Sequence, residues 1–190
     1  MERESIEYDV VVVGGGPSGL ASACKLKQLN QNLSVCLLEK GSEIGSHIIS
    51  GAVFEPETLF DLFPENASSC PTLNTPVKRD DVYFLTGSKK SIKVPSWLTP
   101  NGLHNHGNYI ISLGELCQWI GERAIELGVD IFPGFPAQNY LLDNNGRVCG
   151  IATGDMGLDK LGNQKGTWTP GMDIYAKQTI FTTIASVKPN

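Results

Sequence analysis

Four residues near the start of the chain could together hold a nucleotide. Gly14, Gly16 and Gly19 fall on the spacing G-x-G-x-x-G, and Glu39 follows twenty residues after the last of them. Glycines at this spacing permit a tight turn, let a phosphate reach bare backbone and let a helix pack close to a strand. A carboxylate twenty residues further on can accept hydrogen bonds from the two hydroxyls of an adenosine ribose, and it would repel a 2′-phosphate. The pattern predicts a dinucleotide site that disfavours NADP.

The elements around these residues occur in the order that such a site requires. Residues 10–13 are four valines, which is typical of a parallel strand buried on both faces. A helix predicted over about 18–29 would point its free N–H groups at a phosphate, and a second strand over 34–38 leads to Glu39. The predicted pyrophosphate contacts are Gly14, Gly16, Pro17, Ser18 and Gly19.

The glycine motif alone does not separate NAD from FAD. After the second strand the alternation of strand and helix stops, and residues 41–107 are rich in glycine, proline and short apolar runs. A helix with a capping box at Ser112 and Glu115 follows, and it is predicted to end at Gly128. A strand over 129–132 and a hairpin with strands over 138–142 and 148–153 come next. This order is typical of FAD-dependent enzymes of the glutathione-reductase type, and it favours FAD.

Composition excludes several other classes. The chain has 190 residues and a net charge of −5, which argues against a nucleic-acid-binding protein. Its five cysteines are scattered, odd in number and never spaced C-x-x-C, so they predict reduced thiols rather than disulfides, a zinc site or an iron–sulfur site. His104 and His106 have no third ligand in view, and no metal site is predicted. No apolar run approaches the roughly twenty residues of a membrane span.

Five longer motifs carry a resemblance to a known family. They are GSHIISGAVFEP (45–56), LNTPVKRDDVYFLT (73–86), NHGNYIISLGELCQWI (105–120), GVDIFPGFPA (128–137) and GRVCGIATGDMG (146–157). In this order they resemble the electron-transfer flavoprotein–ubiquinone oxidoreductase family, and the similarity runs from Tyr8 to about Phe181. The resemblance implies an electron-transferring-flavoprotein dehydrogenase with noncovalent FAD, which passes electrons from reduced electron-transfer flavoprotein to ubiquinone.

The resemblance also gives the expected fold and domain organisation. The fold class is α/β: an FAD-binding, Rossmann-like βαβ domain of the glutathione-reductase type with an inserted α+β subdomain on the quinone or membrane side, incomplete at the C-terminus. Residues 1–44 form the βαβ unit, 45–107 the flavin loops and the inserted segment, and 108–190 a helix, strand and hairpin that return to the FAD domain.

Further cofactor contacts are predicted outside the glycine motif. Adenine is expected beside Lys40 and the backbone near Ala137. The flavin ring is expected near Ser50, Gly51 and Ala52. No catalytic acid or base is assigned, because electron transfer through a flavin requires placement and potential rather than proton transfer by a side chain.

Residues 48–63 contain eight large apolar side chains and have two interpretations. The sequence alone favours a core helix with Pro56 in its first turn and with Leu59, Phe60 and Phe63 on one face. The family resemblance favours a segment lying in the membrane interface where ubiquinone enters. The enzyme would then be peripheral on the inner face of a respiratory membrane. The bacterial cytoplasmic membrane is favoured over the mitochondrial inner membrane, because the N-terminus MERESIEYD is not a transit peptide.

Two alternatives remain open at this point. One is an FAD-dependent hydroxylase or isoprenoid reductase, which would be reduced by NAD(P)H. The other is a non-catalytic FAD-binding fragment, because the family is roughly three domain lengths long and its cluster cysteines are absent here. A four-iron (4Fe–4S) cluster is therefore expected only in a full-length family member. We expect the 190-residue chain alone to bind FAD weakly or not at all and to leave ubiquinone unreduced.

The remaining local predictions concern three segments. Strands over 82–86 and 91–94 are expected to form a hairpin around residues 87–90. Residues up to Gly171 are expected to be a polar, glycine-rich stretch, for which no strand is predicted, followed by two strands over 172–175 and 178–181. The end of the chain, 188–190, is expected to be a solvent-exposed tail.

Overall fold

The computed structural model describes residues 3–49, 51–159, 161–182 and 188–189. It divides the chain into two compact units. Residues 1–49 and 114–190 make up the first unit, and residues 50–113 the second. The boundaries expected from the sequence, after residues 44 and 107, lie several residues earlier.

The elements alternate between helix and strand only in part of the chain. In chain order they are β1 (Ser5–Val13), α1 (Pro17–Leu29), β2 (Val35–Glu39), β3 (Ala52–Phe54), α2 (Glu57–Leu62), β4 (Tyr83–Gly87), β5 (Lys90–Lys93), β6 (Tyr109–Ile111), α3 (Leu113–Glu126), β7 (Val129–Pro133), β8 (Ala137–Leu142), β9 (Val148–Thr153), β10 (Met156–Leu158), β11 (Gln164–Thr169), β12 (Asp173–Phe181) and β13 (Lys188–Pro189). Short 3-10 turns occupy Ala67–Ser69, Ser96–Leu98 and Asn101–Leu103.

The first unit is organised by a sheet with the strand order β13-β8-β9-β12-β1-β2-β7. Strands β12, β1, β2 and β7 are parallel, whereas β8 and β9 are antiparallel to each other and β9 is antiparallel to β12. Val13 is in register with Leu38 of β2 and with Phe181 of β12. Because parallel strands end at the same edge, this register places the ends of β1, β2 and β12 side by side.

The predicted central strand is confirmed, and it is longer than the four valines. Val10, Val11, Val12 and Val13 are all buried, with at most 6% of each side chain exposed. A strand covered on both faces gains apolar burial from every residue, so it needs no alternation of polar and apolar side chains. One of the two faces belongs to a core cluster formed by Val11, Val13, Cys36, Leu38, Ile151, Ile174 and Ala176.

Helix α1 buries an apolar face that also contains one lysine. Leu20, Ala23 and Cys24 of α1 are buried, but Leu26 is only half-buried. Lys27 is buried in its place, and its ammonium group donates to the carbonyls of Gln31 and Leu33 at 2.8 and 2.9 Å. The long lysine stem therefore fills apolar space while its charge stabilises the turn after the helix.

Helix α3 begins and ends where the sequence indicated. It starts directly after Ser112, and Gly128 follows its last turn with φ +87°. Such a backbone conformation favours glycine after a helix. The amide of Gly128 donates to the carbonyl of Ile125 at 2.9 Å, and β7 then begins at Val129.

Three expectations for the last third of the chain are wrong. The two strands expected over 172–175 and 178–181 are one strand, β12, because its first half pairs with β9 while its whole length pairs with β1. The polar, glycine-rich stretch, for which no strand is predicted, contains the antiparallel pair β10 and β11. Residues 188–189, expected in a solvent-exposed tail, form β13 and pair with β8. Ile184 and Val187 lie outside the described residues.

The second unit has its own short antiparallel pair, β3 with β6. Its buried apolar side chains are Leu59, Phe63, Ala67, Cys70 and Ile111. The hydroxyl of Thr72 accepts a hydrogen bond from the amide of Ser112 at 3.1 Å and so ties two distant segments of this unit together.

Residues 78–107, here called the arm, are part of the second unit. The backbone segments just before and just after the arm are hydrogen-bonded to each other. The amide of Val77 donates to the carbonyl of Asn108 at 2.8 Å, and the amide of Ile110 donates to the carbonyl of Thr75 at 2.9 Å. The arm contains the predicted hairpin, now β4 and β5. Among the residues that the structure describes, no helix is long and apolar enough to cross a membrane.

Candidate functional site

The glycine motif occupies the turn between β1 and α1, as its spacing predicts. The amide of Gly14 donates to the carbonyl of Leu38 at 2.8 Å, so the turn begins against the end of β2. Gly16 is the residue preceding α1, and Pro17 is the first residue of the helix. Proline suits this position because its missing N–H would have no partner within the helix.

Gly16 and Gly19 are required for two different physical reasons. A Cβ atom added at Gly16 would meet no heavy atom of the described residues within 4 Å, so none of them blocks this backbone. A Cβ atom added at Gly19 would lie 1.9 Å from the carbonyl oxygen of Gly14 and 2.7 Å from the Thr182 hydroxyl. The open side at Gly16 fits a phosphate, whereas Gly19 permits close packing of helix on strand.

The N-terminus of α1 supplies donors on that open side. Among the described residues, no side chain caps this end of the helix. The first N–H groups of a helix lack intrahelical acceptors and carry the positive end of the helix dipole. Backbone donors at Ser18 and Gly19 can therefore bind an anion, as the sequence predicts for a pyrophosphate.

Glu39 lies at the end of β2, directly beside the glycine turn. Its carboxylate accepts hydrogen bonds from the amides of Gly15 at 2.8 Å and Gly41 at 2.6 Å, through different oxygens. Each carboxylate oxygen can accept more than one hydrogen bond, so capacity for two ribose hydroxyls remains. The tertiary structure thus fixes Glu39 in position before a ligand binds.

Gly15 and Thr182 are site residues that the sequence analysis missed. The Thr182 hydroxyl donates to the carbonyls of Val13 at 2.9 Å and Gly14 at 3.1 Å. Thr182 directly follows β12, whose parallel pairing with β1 brings it to the glycine turn. Thr182 could have been predicted from its place directly after the last predicted strand, because the carboxyl ends of parallel strands lie at the same edge of a sheet.

The adenine-side prediction involves two segments that the structure brings together. The amide of Phe135 donates to the carbonyl of Glu39 at 3.1 Å, and the amide of Gly134 donates to the carbonyl of Gly41 at 2.7 Å. Lys40 lies between these two contacts and is exposed. Ala137 opens β8 two residues after Phe135. The contact of adenine with Lys40 and Ala137 stays a prediction.

The flavin-side residues are described only within the second unit. Gly51 has φ +90°, and no heavy atom lies within 4 Å of the position of an added Cβ atom. Ala52 is the first residue of β3 and pairs with Ile111. Ser50 lies outside the described residues. The approach of these three residues to a flavin ring stays a prediction.

A groove of about 390 Å³ adjoins the loop after Glu39. It is lined by Ser42, Glu43, Ile44, Gln118, Gly121, Glu122, Ile125, Ile131 and Pro133. Ile44 connects the groove to the glycine turn, because its Cδ1 atom would lie 2.6 Å from a Cβ atom added at Gly15. Small residues at Gly15 and Gly121 therefore let this loop pack tightly.

The apolar segment 48–63 is partly core. Leu59 and Phe63 are buried, with 3% and 7% exposed, whereas Val53 is 53% and Phe60 40% exposed. The helix expected there is α2, with Pro56 just before it. The expectation that Leu59, Phe60 and Phe63 share one buried face is wrong for Phe60.

All five cysteines are free thiols, and four of them are buried. Burial raises the pKa of both Cys24 and Cys36 to about 12, and that of Cys117 to about 11. Among the described residues, no group of three or more His, Cys, Asp or Glu side chains is arranged to hold a metal ion.

Comparison with known proteins confirms the resemblance. Residues 12–75 match the family model of the NAD(P)-binding Rossmann-like domain. Electron transfer flavoprotein-ubiquinone oxidoreductase of Pseudomonas aeruginosa is 55% identical over 186 residues, which is 95% of this chain and 34% of that protein. The mitochondrial human protein of the same name is 44% identical over 186 residues, which is 95% of this chain and 30% of that protein. The chain spans about a third of the length of these curated relatives.

Solved structures show the same fold at low sequence identity. A geranylgeranyl bacteriochlorophyll reductase-like protein from Thermoplasma acidophilum superposes with a TM-score of 0.63 at 23% identity, over 93% of this chain and 39% of that one. The FAD-dependent halogenase CndH gives a TM-score of 0.63 at 17% identity, over 93% of this chain and 37% of that one. These likenesses establish an α/β, Rossmann-like fold.

Proposed function

We propose that this chain is the FAD-binding part of an oxidoreductase that takes electrons from electron transfer flavoprotein and passes them to ubiquinone. The supporting observation is the position of Glu39, whose carboxylate is held by Gly15 and Gly41 beside the open backbone of Gly16. The relatives at 44–55% identity supply the electron donor and acceptor, through their names.

The first unit offers a binding site of the right chemistry for the adenosine diphosphate half of FAD. The turn of Gly14, Gly16, Pro17, Ser18 and Gly19 would hold the pyrophosphate with backbone donors. Glu39 would accept hydrogen bonds from the ribose hydroxyls, and adenine would lie by Lys40 and Ala137. Ser50, Gly51 and Ala52 would approach the flavin ring.

The residues of the chain bind and orient rather than perform acid–base steps. When bound, FAD accepts electrons from a donor and releases them to an acceptor. The hydrogen bond between Glu39 and Gly15 would fix where the ribose lies, and the Thr182 hydroxyl at the strand end of Val13 holds the turn in place. These contacts set cofactor placement, on which the rate of electron transfer depends.

A membrane contact belongs to this proposal, because ubiquinone is dissolved in the bilayer. Segment 48–63 offers part of it, since Ile49 and Val53 are 90% and 53% exposed whereas Leu59 and Phe63 are buried. The arm offers more: none of residues 78–107 is buried, and seven of its large apolar side chains are more than half exposed. They are Tyr83, Phe84, Leu85, Ile92, Trp97, Leu98 and Leu103.

Apolar groups exposed on this scale mark a surface that contacts another molecule or a membrane. An isolated two-stranded hairpin is also marginally stable in water, so the arm gains from a surface that covers it. The chain would therefore lie peripherally on the inner face of a respiratory membrane, with the arm in the interface. An iron–sulfur cluster is not proposed for these 190 residues.

A chimaera tests the proposed electron transfer. Residues 3–182 replace the corresponding segment of the Pseudomonas aeruginosa relative, and a matched chimaera carries Glu39→Ala. The first chimaera should hold FAD, accept electrons from reduced electron transfer flavoprotein, reduce ubiquinone and resist reduction by NADH. The second should purify with little FAD. A chimaera whose flavin is reduced by NADH and not by electron transfer flavoprotein would favour the hydroxylase or reductase alternative.

A further inference from the structure

Positive charge is concentrated on the arm of an otherwise acidic chain. The chain has a net charge of −5, yet the arm has five lysines and arginines and only two acids, Asp80 and Asp81. Between residues 82 and 107 there is no aspartate or glutamate. An anionic surface would repel the chain as a whole and attract this segment.

The two acids of the arm are engaged at its base. Asp81 forms ion pairs with Arg79 at 2.5 Å and Lys93 at 2.7 Å. These neighbours lower the pKa of Asp81, and the contact with Arg79 is the main cause. Asp80 accepts a hydrogen bond from the amide of Asn105 at 2.7 Å, which ties the two ends of the arm together. Charge at the base is therefore largely compensated.

The tip of the arm is charged and not compensated. Lys89 follows Ser88 in the turn of the hairpin, and Lys90 pairs with Gly87 across it. Both lysines are exposed. Among the residues that the structure describes, no carboxylate forms an ion pair with either lysine. Two cations at one exposed turn can contact anions in solution or on a surface.

Apolar side chains lie in the two strands next to the turn that carries these lysines. Phe84 and Ile92 are cross-strand partners in the same hairpin, with 66% and 61% of their side chains exposed. Leu85, next to this pair, is 74% exposed. Neighbouring side chains of opposite strands share one face, so Phe84 and Ile92 form an apolar pair near the cationic turn. Lysines beside apolar side chains suit a phospholipid surface, because the ammonium groups can lie among the headgroups while the apolar side chains reach the acyl chains.

We propose that Lys89 and Lys90 bind the phosphates of anionic phospholipids, so that the arm selects an anionic bilayer surface. This inference rests on the proposed membrane contact of the arm and adds the headgroup class that it recognises. The apolar pair supplies binding to any bilayer, and the lysines supply the preference for negative charge. Each lysine near an anionic bilayer strengthens binding by about fivefold.

Vesicle sedimentation of the 190-residue chain tests the proposal. One set of vesicles is phosphatidylcholine alone, and in the other about a third of the lipid is phosphatidylglycerol. The chain should bind the anionic set about 25-fold more tightly, because Lys89 and Lys90 each contribute about fivefold, and about 0.5 M NaCl should remove the difference. Soluble glycerol phosphate should not displace the chain, because it lacks the apolar half of the ligand.

Matched variants separate the lysines from the apolar surface. Lys89→Gln with Lys90→Gln should lower the anionic preference by about 25-fold and leave binding to neutral vesicles unchanged. Lys25→Gln with Lys165→Gln, two exposed lysines of the first unit, should change neither. Trp97→Asp should weaken binding to both vesicles. Circular dichroism checks that each variant is folded.

Three outcomes would overturn the inference. Equal wild-type binding to neutral and anionic vesicles would refute the headgroup preference and leave the membrane contact intact. Binding to neither would refute the membrane contact itself. Tight binding to soluble polyglutamate without vesicle binding would assign the arm to an acidic protein partner.

Discussion

The carboxylate of Glu39 accepts a hydrogen bond from the backbone amide of Gly15 at 2.8 Å, across 24 positions of sequence. The contact joins the ends of β2 and β1, and the amide of Gly41 holds the second carboxylate oxygen at 2.6 Å. Glu39 is therefore a structural bridge as well as the residue proposed to bind the ribose. Its substitution should have two separable effects.

Glu39→Ala should weaken FAD binding by roughly 10- to 150-fold, because hydrogen bonds of a charged group contribute about 1.5–3 kcal/mol. It also leaves the amides of Gly15 and Gly41 without their acceptor, so the melting temperature should fall modestly. Titration of FAD into the FAD-depleted chimaera, followed by quenching of flavin fluorescence, measures the first effect, because the 190-residue chain alone is expected to bind FAD weakly or not at all. Glu43→Ala, in the same loop, is the control and should retain the wild-type affinity. Equal affinity of the Glu39 variant and the wild type would contradict the ribose assignment.

Gly16→Ala and Gly19→Ala should separate binding from folding. Alanine at Gly16 meets open space and should change the free energy of unfolding by less than about 1 kcal/mol, while its methyl group obstructs a phosphate. Alanine at Gly19 would place Cβ 1.9 Å from the Gly14 carbonyl, so it should cost about 3 kcal/mol. Thermal denaturation and FAD titration of both variants test this. The prediction fails if Gly19→Ala melts like the wild type.

The stability of the first unit should depend on Asp9 at low pH. Lys177, together with Ser34, lowers the pKa of Asp9 from 3.8 to about 2. Because the pKa is lower in the folded state, the ionised carboxylate stabilises the fold above about pH 4, and this contribution is lost as the pH falls towards 2. Asp9→Asn should therefore reduce stability at neutral pH and flatten its decline between pH 4 and 2. Urea unfolding across this range measures the slope, and Glu7→Gln should leave it unchanged.

Thiol reactivity should distinguish one cysteine from the other four. Burial raises the pKa of Cys24, Cys36, Cys70 and Cys117, so these groups are protonated at pH 8 and shielded from reagents. Cys149 is partly exposed. Ellman's reagent should modify one thiol rapidly and four only after denaturation. Cys149→Ser should abolish the rapid phase, and a second fast thiol in the folded chain would contradict the burial.

Local pattern was sufficient wherever one segment determines its own structure. The valines of β1 act through burial, and the glycines of the turn and Gly128 after α3 act through backbone sterics, in each case within a few positions. The exposed hairpin of β4 and β5 follows from two strand-forming runs joined by a short turn. These features were predictable from the sequence. Glu39 was predictable too, because the helix that connects two parallel strands sets the number of residues between the glycine turn and the end of the second strand.

Contacts between distant segments were decided only by the tertiary structure. Thr182 reaches the glycine turn because β12 pairs with β1, and pairing between strands about 170 residues apart leaves no local signal. The same pairing makes β12 one continuous strand. Phe60 is exposed while Leu59 and Phe63 are buried. The spacing of the apolar residues did not determine which side of α2 is buried, because that depends on the segments that pack around it. The sequence determined which residues can bind a dinucleotide, and the sheet register decided which residues hold them in place.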